Sequence, residues 1–91
     1  METVQFVVKD VFNITGRGLV LMGRLESGVI KLGDNLFLVG DDSKLPITIV
    51  SIEKFRHTNL TEVTDGSEDY GLQVRGIRRD QVKTQDIVTN G

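Results

Sequence analysis

Residues 16–39 read Gly-Arg-Gly-Leu-Val-Leu-Met-Gly-Arg-Leu-Glu-Ser-Gly-Val-Ile-Lys-Leu-Gly-Asp-Asn-Leu-Phe-Leu-Val. Every apolar run in this stretch is short, and each is closed by glycine beside polar residues. Gly16, Gly18, Gly28 and Gly33 tolerate positive φ, so their clusters read as turns. Between the turns lie a strand over residues 19–25, a short strand over 29–31 and a further strand over 35–39. In the last, Leu36 and Leu38 take one face and Phe37 and Val39 the other. Gly23 interrupts the 19–25 strand and marks a bulge, a bend or a close backbone approach. No apolar repeat of 3.6 residues runs through the stretch, which argues against helix.

The same grammar extends outward. Residues 3–12 place Val4, Phe6 and Val8 at period two, with Val7 and Val11 on the opposite face. Residues 40–44 form a polar loop. Pro46 sits just inside a strand in which Ile47, Ile49 and Ser51 alternate with Thr48, Val50 and Ile52. That strand can run on to Arg56. Residues 57–69 form the longest polar stretch and read as a loop, with Glu62, Asp65, Glu68 and Asp69 around Gly66. Residues 70–74 are another strand, ended by Arg75-Gly76. Residues 77–83 hold a short helical turn or an extended corner, and 86–89 close the chain as a strand. Short strands with frequent turn signals define an all-β sandwich or barrel.

Composition bounds the function. The chain has 91 residues, ten Gly, one Pro, one His and no Cys, with a formal net charge of −2. It is expected to form one domain over residues 1–91, exposing roughly 5,300 Å² when folded. The missing cysteines exclude disulfides and thiolate metal sites. A single His excludes a multi-histidine metal site, and the net charge argues against strong non-specific polyanion binding. No apolar run exceeds four residues, against the roughly 20 needed to span a bilayer, and the N-terminus has no signal-peptide pattern. A cytoplasmic location, no membrane, no metal and no cofactor are therefore the expectation.

Asp10-Val11-Phe12, Gly16-Arg17-Gly18, Gly23-Arg24 and residues 28–34 follow in order, then Ser51-Ile52-Glu53-Lys54-Phe55-Arg56, Tyr70-Gly71-Leu72 and residues 74–79. In this order and spacing the chain resembles, over about residues 6–89, the second domain of elongation factor Tu and related translational GTPases. The resemblance implies a closed antiparallel β-barrel of about six strands. The Gly-x-x-x-x-Gly-Lys-Ser/Thr loop and the Asn-Lys-x-Asp motif of a GTPase are absent, so no GTPase domain and no nucleotide are expected.

In elongation factor Tu this domain helps hold the aminoacylated 3′ end of transfer RNA. Carried over, the resemblance points to Asp10 and Phe12, to Val20 and Met22, and to Glu53, Phe55 and Arg56. A carboxylate such as Glu53 accepts from a ribose hydroxyl or an adenine amino group. Phe12 and Phe55 offer flat apolar area, and Arg56 a guanidinium for phosphate. The alternative is that the aromatics are ordinary barrel residues and Glu53–Arg56 a surface pair. The pattern departs from the family at Met22, where a threonine stands, at Lys9, where an acid stands, and at Lys54, where an apolar residue stands. The acidic 57–69 segment is longer, and Gln85 occupies a family glycine position.

Arg75, Arg78, Arg79 and Lys83 make a second candidate surface, either for RNA phosphates or as a solvated face. No catalytic constellation is present: His57 lacks a nucleophile elbow, and Glu68 and Asp69 point to opposite faces if extended. The sequence thus describes a non-catalytic binding module of translation type. Its expected partner is a transfer RNA acceptor end or ribosomal RNA. The alternatives are a protein–protein interaction module and an isolated domain of a larger translation factor.

Overall fold

A computed structural model describes residues 2–54 and 56–91. The main strands are β1 (Gln5–Ile14), β2 (Gly18–Ser27), β4 (Asn35–Val39), β5 (Lys44–Lys54), β8 (Tyr70–Arg75) and β9 (Ile87–Thr89). All pair antiparallel in the order β4-β9-β1-β2-β8-β5, and β4 pairs with β5 to close the ring. The closed antiparallel barrel of six strands expected from the resemblance is therefore the observed fold. Closure removes the open edges that so many short strands would otherwise expose.

Inward residues of every ring strand meet in one core, with Phe6, Val8, Leu21, Leu38, Ile49, Ile52, Leu72 and Val88 fully buried. Pro46 lies in the β4–β5 ladder opposite Phe37. β8 joins β5 only from Thr48 onward, so Pro46 has β4 alone as a neighbour and its missing donor costs no ladder bond on the other side.

Three expectations are corrected. First, Val11 does not oppose Val8: it joins the same core. Second, Ile52 does not share a face with Thr48 and Val50. It is buried with Ile47 and Ile49, while Ser51 is turned outward. Both corrections have one cause. Lys9 is an extra residue between the pairs Val8↔Gly23 and Asp10↔Met22, and Val50 is an extra residue between Ile49↔Val74 and Ser51↔Gln73. Each bulge reverses the alternation beyond it.

Third, residues 57–69 are not only loop. β6 (His57–Leu60) pairs with the end of β5, and β7 (Glu62–Val63) pairs with β3 (Ile30–Lys31) as a separate small sheet. Ile30 and Val63 are both fully buried there. The corner between β8 and β9 contains a short 3-10 turn, Arg79–Gln81. Among the described residues no helix is long and apolar enough to cross a membrane.

Candidate nucleic-acid interface

Ladder register sets two rows across the outside of the barrel. Asp10, Met22, Gly71 and Glu53 are successive partners, and so are Phe12, Val20, Gln73 and Ser51. The β1 bulge at Lys9 is what turns Asp10 and Phe12 outward, and the β5 bulge does the same for Glu53. Four separate strand segments thus present one surface. Arg75, two residues beyond Gln73 on β8, continues it.

Gly71 is the floor of the first row. A Cβ placed there would lie 2.9 Å from Met22 Sδ, 3.2 Å from Glu53 Cγ and 3.3 Å from Val20 Cγ1. The Met22 thioether therefore lies over Gly71, in the space that a shorter threonine would leave open. Phe12 is 46% exposed, an accessible aromatic face at the edge of the surface. The Asp10 carboxylate accepts from the Val11 N–H at 2.8 Å, which fixes its direction beside the bulge.

Glu53 is engaged by Arg17. Arg17 Nη1 and Nη2 donate to Glu53 Oε1 and Oε2 at 3.5 and 3.3 Å. Nη2 also donates to Gln73 Oε1 at 3.3 Å, and Gln73 Nε2 donates back to the Arg17 carbonyl. Arg17 and Gln73 were not singled out by sequence. The only sequence signal was an arginine between two turn glycines, which reads as turn chemistry.

Phe55 lies outside the described residues. Arg56 is exposed and left-handed, with φ 65°, where the chain leaves β5. The basic segment does not join the outer face as one patch. Arg78 pairs with Asp80 at 3.2 Å and Lys83 with Asp41 at 3.0 Å, while Arg79 donates to the Val82 carbonyl. Asp41 raises the Lys83 pKa, by its hydrogen bond first and its charge second. A cavity of about 420 Å³ beside Lys83 is lined by Asp41, Asp42, Asp80 and Asp86, so its potential is negative. Among the described residues no acidic or histidine group is arranged to hold a metal ion.

The lysines that depart from the family pattern meet the acidic segment. Lys9 Nζ pairs with Asp69 at 3.4 Å, Arg24 pairs with the same oxygen at 3.1 Å, and Lys54 pairs with Glu68 at 3.4 Å. Lys54 also lies over the Tyr70 ring at 5.7 Å. The acidic segment is thereby tied to β1, β2 and β5 along the border of the surface.

A closed ring of six antiparallel strands, with a 3-10 corner before the last, defines a small antiparallel β-barrel. Among solved structures it is similar to translation elongation factor SelB from Methanococcus maripaludis in its apo form. The TM-score is 0.83 over 97% of this chain, with 24% sequence identity, and the chain spans 18% of that factor's length. No family model matches the chain. At this identity the likeness is one of fold.

Proposed function

We propose that the chain is a non-catalytic binding module of translation type. It takes a transfer RNA acceptor end, or a strand of ribosomal RNA, on the outer face of β1, β2, β8 and β5, without hydrolysing GTP. The observation that carries this is the register that aligns Asp10, Met22 and Glu53 across the face with Phe12 beside them. Glu53 supplies an acceptor for a ribose hydroxyl or base amino group, and Phe12 a stacking surface. Arg56 and Arg75 supply charge for phosphates at the margins. Arg78, Arg79 and Lys83 belong to the same proposal as flanking contacts, and their acidic neighbours keep any RNA contact there local. The fold shared with a translation factor supports the setting, and a cytoplasmic location is part of the same proposal.

The test is a chemical-shift titration with an aminoacylated acceptor-stem mimic. Asp10, Phe12, Met22 and Glu53 should shift together, with smaller changes over residues 75–83. A titration that leaves all of these signals in place overturns the reading. A second reading, a protein-interaction module, draws on Val29 and Leu32, large apolar side chains left exposed beside β3. A chain that sediments as a monomer at high concentration and co-purifies with nothing counts against it.

A further inference from the structure

Val20 points away from the core, since its row partners are Phe12 and Gln73 and it is absent from the buried cluster. Yet it is 1% exposed, whereas Phe12 beside it is 46% exposed. An outward valine on a bare sheet face would meet water. Something covers it: Met22 and Glu53 flank it over Gly71, and the Arg17 side chain crosses this part of the face from the β1–β2 turn to Gln73 and Glu53.

We propose that Arg17 is a gate over this face. In the free protein it roofs Val20 and holds both carboxylate oxygens of Glu53; it swings away when a ligand takes those two groups. The roof is loosely fastened. Its N···O distances of 3.3 and 3.5 Å exceed the roughly 2.7–2.9 Å of a tight charge-assisted bond. Water reaches both partners, whose side chains are 39% and 23% exposed. Exposed pairs of this kind favour the closed state by only about two- to fivefold.

The attachment also separates side chain from backbone. Gly16 and Gly18 flank Arg17 at φ 82° and 99°, and the Gln73 amide holds the Arg17 carbonyl. The guanidinium can therefore leave while the turn stays in place. The occupant that opens the gate must offer a hydrogen-bond donor to Glu53, an apolar face to Val20 and Phe12, and an anion to receive the displaced guanidinium. A nucleotide unit has all three, and this assignment of the ligand rests on the RNA reading above; the gate itself does not.

The experiment uses methyl-labelled protein with a soluble nitroxide as a probe of exposure. In the wild type the Val20 methyls should relax little. In Arg17→Ala their enhancement should rise several-fold, with Arg17→Lys between the two. Raising the salt to about 1 M, which screens exposed pairs, should move the wild type toward the variant. Leu38 methyls serve as the folding control and stay protected throughout. Val20 protected in Arg17→Ala as in the wild type overturns the gate. Titration with the acceptor-stem mimic separates the two claims. Shifts on the face with the Arg17 Nε–H unmoved overturn the gate's release and leave RNA binding standing. Val20 exposure in Arg17→Ala without any RNA-induced shift supports the gate and overturns the RNA reading.

Discussion

Gln85 has φ 77°, in the left-handed region, at the position where the related pattern carries glycine. It is the third residue of a turn closed by the Asp86 N–H donating to the Lys83 carbonyl at 3.2 Å, and a positive φ there favours glycine. The turn also anchors β1, since the Gln85 N–H donates to the Val8 carbonyl at 2.7 Å. A Cβ in this conformation costs energy that a glycine returns in part as chain entropy. Gln85→Gly should therefore stabilise the fold by about 0.5–1 kcal/mol, or roughly 2–8 °C in Tm by thermal denaturation. At the same scale, Asp65 accepts from Ser67 Oγ at 2.6 Å and from the Ser67 N–H at 3.0 Å. The hydroxyl first, and the N–H second, hold its carboxyl below the ordinary value of 3.8. With the folded pKa depressed, this contribution is present above the unfolded value and is lost as pH falls through the folded one. Carboxyl-detected NMR should find Asp65 titrating low in the wild type and nearer 3.8 in Ser67→Ala. The acidic stretch around Gly66 was legible in the sequence, but the Asp65–Ser67 turn within it was not singled out. That Gln85 would accept the glycine conformation rather than reshape the turn was not legible either.

At the scale of elements, the first two strands show how far a pattern can be trusted. Val4, Phe6 and Val8 are buried as their alternation requires. Beyond Lys9 the alternation reverses, because the bulge inserts one residue on β1 and none on β2. The bulge and Gly23 are halves of one device. A Cβ on Gly23 would lie 2.0 Å from the Val7 carbonyl oxygen and 2.8 Å from Phe6 Cε1. Gly23→Ala must push β1 away from β2 at the point that turns Asp10 and Phe12 outward. It should cost about 2–4 kcal/mol, read by denaturant unfolding. Local shifts should centre on residues 6–10. The sequence marked Gly23 as special; the bulge opposite it left no mark, because Lys9 is an unremarkable strand residue. β6 and β7 were hidden for a different reason. Three of the four β6 side chains, His57, Thr58 and Asn59, are exposed, so that strand rests on backbone pairing with β5 and carries little apolar signal.

At the scale of the molecule, the folded chain exposes 5457 Å², close to the roughly 5,300 Å² expected from its mass. So small a barrel has one core and no reserve. Leu38 sits where the ring closes, paired with Leu45 on β5 and Val88 on β9, and is fully buried. Leu38→Ala should cost about 2–5 kcal/mol. Against a total of roughly 5–14 kcal/mol for a domain of this length, that loss should produce a substantially unfolded population on warming. Circular dichroism should report one cooperative transition at lower temperature, with β4 and β9 lost together with the rest.

Length and glycine-bounded strands were enough to determine an all-β sandwich or barrel, since turn chemistry and side-chain period are local properties, and the resemblance carried by the order of motifs implied the closed barrel. The resemblance brought Asp10, Phe12, Val20, Met22, Glu53, Phe55 and Arg56 forward as one candidate surface. Only the tertiary structure decided which of the described candidate residues share a face. It carried Lys83 to Asp41, paired Lys9 and Lys54 with the acidic segment, and set Arg17 against Glu53 and Gln73. Those outcomes depend on register, bulges and contacts between residues up to 60 positions apart, as between Lys9 and Asp69. No local pattern encodes them, because a one-residue shift in pairing reverses every side chain that follows.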